Sequence, residues 1–253
     1  MSLRPYVHLD AVLADAFEGH RVPLSEAEAH HLQRVLRLSD GAELRVADGR
    51  GTFADGVLAG RDVELTERPR TEPAPVPMLH VAQALPKGRK ADEVVRQVTE
   101  LGADAITFLV TERSVARLDG AKAERVRGRW QAVARAASEQ ARRPRRPRVE
   151  GPVSMGSLSG DGASLLVAQP QAPALPSVLL GLGEVREVIL AIGPEGGWSP
   201  AELDALRSRH GGHLVGLGPS ILRTEHAAAA AVAVTAALLG RWVAIPPTDP
   251  DRA

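Results

Sequence analysis

The stretch LAIGPEGGWSPAEL, residues 190–203, joins an apolar run to a glycine turn and a helix start. Val188 to Ile192 read VILAI, a short apolar run of the kind that forms a buried strand. The turn is Gly193-Pro194-Glu195-Gly196-Gly197. Ser199, Pro200 and Glu202 then form a capping box with proline at the first helical position. Strand, glycine turn and helix N-terminus together make the repeating unit of an α/β domain, and such a turn commonly holds phosphate. Glu195 is out of place in a phosphate cradle, because a carboxylate repels an anion.

The same alternation extends to both sides. LHVAQAL (79–85) reads as a strand. Residues 90–101 place Val94, Val95, Val98 and Leu101 on one helical face, with Gly102 as the stop. AITFLV (105–110) is a strand, and 121–141 a long helix with Val126, Trp130, Val133 and Ala137 in phase. SLLVAQ (164–169) is a strand, 200–210 a helix ended by Gly211, HLVGL (213–217) a strand and 225–239 an alanine-rich helix. Strands alternating with helices predict an α/β domain with a mostly parallel sheet. Upstream, ERPRTEPAPVP (67–77) holds four prolines and reads as a linker. Before it, Ser25 to Glu28 form a second capping box opening a helix through Leu36. ELRVAD, TFADGVLAG and DVELTE alternate apolar and polar residues as hairpin strands do. Two domains are expected, a β-rich one at 1–72 and the α/β one at 73–253.

Three strand ends carry the chemistry: VAQP (167–170), IGPEGG (192–197) and LGPSILRTE (217–225). Ligands of open α/β sheets bind outside the carboxyl ends of the strands, so the three are expected to line one pocket. Neither a P-loop nor a Gly-x-Gly-x-x-Gly fingerprint is present, which disfavours nucleotide triphosphates and a nucleotide-binding oxidoreductase. Glu195 tolerates a neutral or cationic ligand, and S-adenosylmethionine, with a positive sulfonium and ammonium, fits. Glu195 also suits the start of the following helix, where an acidic side chain contributes ~0.3–1 kcal/mol. Both roles are compatible.

Formal net charge is zero, but its distribution is uneven. Residues 1–72 carry 9 basic and 13 acidic side chains, whereas 113–148 carry 12 and 3. Five arginines, Arg142, Arg143, Arg145, Arg146 and Arg148, fall within seven residues, broken by Pro144 and Pro147. A charge run is usually a solvated face. This one is arginine-only, and arginine grips phosphate in a fork, so it is read as an extended contact to a nucleic-acid backbone. Lys87, Arg89 and Lys90, in a strand-to-helix loop at the same edge, are read as further phosphate contacts. His30 and His31 are adjacent and point apart on a helix, so no metal pair is expected; Arg34 and Arg37 lie one turn on and are assigned to RNA binding. The chain has no cysteine, which excludes disulfides and thiolate chemistry. Without a signal pattern or an ~18-residue apolar run, a cytoplasmic location is expected.

QALPKGRKADEVVRQVTELGADAITFLVTERS, ASEQARRPRRPRV, LAIGPEGGWSPAE and LGPSILRTE, with HHLQRVLRLSDG near the start, resemble the RsmE family of the SPOUT superfamily. These are small-subunit rRNA methyltransferases that make N3-methyluridine. The resemblance covers most of the chain, in order. It implies a trefoil knot in the α/β domain, a PUA-like barrel assisting RNA binding at 1–72, and a homodimer. No metal is expected, since the sulfonium of the donor is already activated. The donor would rest on Val167, Ala168 and Gln169, on Gly193, Pro194, Glu195, Gly196 and Gly197, and on Leu217, Gly218, Ile221 and Leu222. Arg223 and Glu225 match the terminal motif and, with Glu195, would carry the chemistry. His226 stands where threonine is common, and Ala42 where an aspartate is usual. A knotted methyltransferase acting on another RNA, or a non-catalytic RNA-binding assembly factor, are the alternatives.

Overall fold

A computed structural model describes residues 4–114, 120–158, 162–208 and 210–242. They fall into two units, 4–74 with Ser138–Arg146, and 75–137 with 147–242.

The first unit holds β1 (Tyr6–His8), β2 (Arg21–Pro23), α1 (Glu26–His30), β3 (Glu43–Ala47), β4 (Thr52–Ala59), β5 (Asp62–Leu65) and β6 (Arg70–Thr71). Hydrogen bonding runs β1-β3-β4-β5-β2, with β6 on β4. β1 and β3 are parallel and the other pairs antiparallel. The core is aliphatic, from Val7, Leu9 and Leu13 to Leu32, Leu44, Leu58 and Val63. Glu28 closes the predicted capping box and also accepts the Asp10 amide, 2.8 Å away, so the helix start fixes the chain before β2. The expected helix through Leu36 changes character. α1 ends at His30 and residues His31–Val35 form a π turn, the Leu36 amide bonding the His31 carbonyl. The stretch read as a linker also contains β6. Its main chain pairs with Thr52 and Phe53, and the Arg70 guanidinium lies 5.1 Å from the Phe53 ring centre. Main-chain pairing needs no apolar periodicity, so the pattern gave no sign of it.

The second unit holds β7 (Met78–Ala84), α2 (Lys90–Glu100), β8 (Ala105–Val110), α3 (Gly120–Gln140, its last turn in the first unit), β9 (Arg148–Ser154), β10 (Ser164–Ala168), α4 (Leu175–Leu180), β11 (Glu187–Ile192), α5 (Pro200–Ser208), β12 (His213–Val215) and α6 (Thr224–Leu238). Its sheet is parallel throughout, in the order β12-β10-β11-β7-β8-β9. Helices cover both faces, as a parallel sheet requires. One face packs α2, α4 and α6 with Trp130 of α3, and the other packs Trp198 and Leu206 of α5. α6 buries Ala227, Ala228, Ala231, Val232, Thr235 and Ala236, a stripe at helical spacing. Few aromatics are needed where alanines bring a helix this near a sheet. β9 and α4 were not foreseen. β9 lies at a sheet edge, where proline is tolerated, and Gly151 (φ +103) has no room for a Cβ, which would stand 2.5 Å from the Phe108 carbonyl oxygen. No helix among the described residues is long and apolar enough to cross a membrane.

Ser138–Arg146 groups with the first unit. The arginines supply the reason. Arg142 donates to the Arg4 carbonyl, and Arg145 to the carbonyls of Arg50 and Glu72. Arg146 donates to the Asp48 carbonyl, and the Arg143 carbonyl accepts from the His8 ring at 2.8 Å. Gly49 and Gly51 make room, since a Cβ on either would strike Arg146 or Arg145. These contacts fold the run as a strap within the first unit, its arginines half-buried.

Candidate functional site

The carboxyl ends of β10, β11 and β12 open into one cavity of about 870 Å³ in the second unit. Every residue assigned to the donor lines it except Val167, which is wholly buried in the sheet, paired with Ala191 and Leu214.

The local chemistry explains each wall. The Gly197 amide bonds the Pro194 carbonyl at 2.8 Å, closing the GPEGG bend, with Gly197 at φ +70. The Trp198 ring folds beneath Gly193 and donates to the Ala168 carbonyl at 3.3 Å, joining two of the strand ends. The Glu202 carboxylate accepts the Ser199 amide and also the Glu112 amide, each at 2.8 Å, so the capping box anchors the chain after β8 as well. Arg113, from that segment, donates to the Gly196 carbonyl at 2.7 Å and lines the cavity. The third wall is set by Gly216, whose amide bonds the Pro173 carbonyl and whose missing Cβ would stand 2.5 Å from the Ala172 carbonyl oxygen. Ile221, 81% exposed, and Leu222 present apolar surface at the mouth.

Thr224 joins the bends. Its hydroxyl donates to the Gly193 carbonyl (2.8 Å) and accepts from the Gln83 amide (2.7 Å) at the end of β7. Both Gln83 and Thr224 are buried. Sequence reasoning gave no role to Arg113 or Gln83, and none to Thr224 beyond its place in the LGPSILRTE end. Their types are ordinary, and only tertiary pairing shows their use.

The three residues assigned to chemistry take different positions. Arg223 caps the N-terminus of α6, is exposed and lines the cavity. Glu195 is on the cavity wall, its side chain 42% exposed. Glu225 is buried behind it, outside the lining. Lys90 bridges the two carboxylates, 3.4 Å from Glu195 and 3.3 Å from Glu225. Burial alone would raise the Glu225 carboxyl. Its own backbone amide, Lys90 and His226 outweigh that and hold it below the usual range. The hydrogen bond to Glu225 raises the Lys90 ammonium in turn.

Of the residues assigned to RNA, Arg34, Arg37, Lys87, Arg89 and Arg148 are exposed, Arg89 leaning toward Asp92 and Arg148 bonding Glu150. Lys90 is turned to the carboxylates, and Arg142, Arg143, Arg145 and Arg146 belong to the strap.

Residues 72–236 match a family described as RNA methyltransferase domain, and residues 24–64 one described as RNA methyltransferase PUA domain. The chain is 37% identical over 226 residues to the ribosomal RNA small subunit methyltransferase E of Mycobacterium tuberculosis, covering 85% of this chain and 86% of that one. Among solved structures it is similar to the ribosomal RNA small subunit methyltransferase E of Neisseria gonorrhoeae bound to S-adenosyl methionine. There the TM-score is 0.79 at 25% identity, over 93% of this chain and 98% of that one. A methyltransferase of Legionella pneumophila in complex with the bound cofactor SAM gives a TM-score of 0.80 at 26% identity, over the same shares.

Proposed function

The chain belongs to the ribosomal RNA small subunit methyltransferase E family, and from that premise we propose that it transfers a methyl group from S-adenosylmethionine to N3 of one uridine in 16S small-subunit rRNA. The observation that carries the reading is the convergence of three bends, far apart in sequence, on one cavity.

The cavity fits the donor in size and character, within the few hundred to ~1,000 Å³ usual for small-molecule sites. Its walls are main chain at Gly193 to Gly197 and Leu217 to Gly218, with apolar Ile192, Ile221 and Leu222 for the adenine. When bound, the donor supplies an electrophilic methyl carbon on a cationic sulfur. The protein has to orient uridine in line with that carbon and favour the ionised base. Orientation can contribute ~7–11 kcal/mol. Arg223, on the cavity wall, donates to a uracil carbonyl oxygen as negative charge spreads onto it, as an oxyanion donor does. Glu195 takes the N3 proton directly or through a water it orders. Glu225, ionised and held by Lys90, is a weaker base and sits behind.

Residues 1–72 act as the PUA-like RNA-binding module and 73–253 as the methyltransferase domain, with the strap joining the first. Arg34, Arg37, Lys87, Arg89 and Arg148 contact phosphate. The strap arginines retain their charge and add to the attractive field. The order β12-β10-β11 supports a SPOUT-type trefoil knot, because the β11–β12 crossover returns past β10. Val234, Leu238 and Trp242 leave apolar surface exposed at the end of α6, which supports a homodimer; the protein acts in the cytoplasm, where its rRNA is.

The reading is tested by incubating the protein with methyl-labelled donor and small subunits from a strain lacking the modification, followed by mass mapping. Label at N3 of a single 16S uridine is expected. Label in another RNA would point to a different substrate, and donor binding without label to an assembly factor.

A further inference from the structure

Three elements at the carboxyl edge of the sheet meet on one ammonium. Lys90 stands at the start of α2, Glu225 in the first turn of α6 and Glu195 in the bend after β11. The lysine Nζ lies 3.3 Å from one Glu225 oxygen and 3.4 Å from the other, and 3.4 Å from Glu195. Its neighbours Lys87 and Arg89 are exposed, whereas the Lys90 side chain is two-thirds covered. A partly buried pair of this kind is screened far less by salt than a surface one. Glu225 is buried and needs a counter-ion, and Glu195 lines the cavity.

We propose that Lys90 is a positioning residue for methyl transfer. Its ammonium ties the Glu195 bend of the donor cavity to the buried Glu225 carboxylate of α6, and so sets where Glu195 meets the base. It is not a contact to RNA phosphate. The chemistry rests on the methyltransferase reading; the clamp does not. The charged groups acting on Glu225 are Lys90 from α2 and His226 beside it on α6, with Glu195 sharing the lysine. Burial raises the carboxyl, while its backbone amide, Lys90 and His226 together lower it further, so the clamp stays formed at neutral pH.

The test compares wild type, K90Q, K90R, E195Q and K90Q/E195Q in methyl transfer to small subunits, with kcat and KM measured across salt. The Glu225 carboxyl is followed by NMR titration in wild type and K90Q. K90Q is expected to lower kcat about a hundredfold, the scale of a misplaced reacting group, with KM for RNA and its salt dependence unchanged. K90R restores most of kcat. The double variant loses no more than E195Q alone, because Lys90 acts through Glu195, and Glu225 titrates higher in K90Q. The proposal is overturned by an unchanged kcat with the salt slope of RNA binding reduced by about one, the signature of a lost phosphate contact. Additive losses in the double variant, or an unmoved Glu225 titration, overturn it equally. If wild type transfers no methyl, the functional reading fails, and the NMR titration still decides the clamp.

Discussion

Thr224 has one proton to donate, and it goes to Gly193; the Gln83 amide must then be the donor to Thr224. T224V removes both bonds from a buried site. A stability loss of about 1–3 kcal/mol is expected, measured by urea unfolding, together with weaker donor binding because the β11 and α6 ends separate. Arg223 has no such structural duty beyond its main-chain cap. Arg223→Ala should keep its melting temperature and lose about 100- to 1,000-fold in kcat; near-normal turnover would remove Arg223 from the mechanism. His80 gives a pH signature unrelated to catalysis. Burial, and secondarily Arg148, lower its pKa from 6.5 to about 4. The unfolded chain therefore binds a proton that the folded one refuses. Stability should be full above pH 6.5 and fall as pH drops toward 4, by about 3 kcal/mol for this one group. Urea midpoints measured from pH 7 to 5 should slope in wild type and flatten in H80Q. At this scale the place of Arg223 and Glu195 on the cavity wall was legible because motif and position at a strand end coincide. The carboxylate partners of Lys90 were not legible, since they lie 105 and 135 residues away and a lysine among basic neighbours looks like a phosphate contact.

Elements whose side chains repeat were readable, and elements held by main chain or by a distant partner were not. The strands from β7 to β11 that carry apolar runs, and the helices with an apolar stripe, lie within a residue or two of expectation. β6 and β9 lack a run, and the arginine strap gains its shape from carbonyls in the first unit. Arg241 ends α6 in the same hidden way. Its guanidinium bonds the Asp104 carboxylate and the carbonyls of Pro77 and Gly102, the Arg241 and Asp104 side chains being 10% and 9% exposed, while Asp104 also accepts the Leu79 amide. Removing one partner of such a pair strands the other charge. R241A should lose about 3–5 kcal/mol, seen as an early thermal transition. At the strap, replacing Arg142, Arg143, Arg145 and Arg146 by serine should weaken rRNA binding and also lower the stability of the first unit. Unchanged rRNA affinity would confine the run to its structural task.

At the scale of the molecule, basic side chains stand in two settings. Some lie on the loops and strands assigned to RNA, while the cavity wall combines main chain and apolar carbon with the guanidiniums of Arg113 and Arg223 and with Glu195, a carboxylate under lysine restraint. That arrangement answers why Glu195 stands among the glycines: it is compatible with a cationic donor and is anchored through Lys90 to α6. Strand ends 25 to 50 residues apart can be assigned to one edge from the alternation of elements alone. The return of the chain past β10, by contrast, leaves no mark in hydrophobic periodicity. The most direct measurement is titration calorimetry of the protein with S-adenosylmethionine. Saturable binding at one site per chain is expected, abolished or strongly weakened when Gly218, whose φ of +111 admits few side chains, is replaced by valine. No binding heat at any donor concentration up to millimolar, in protein shown to be folded, would contradict it.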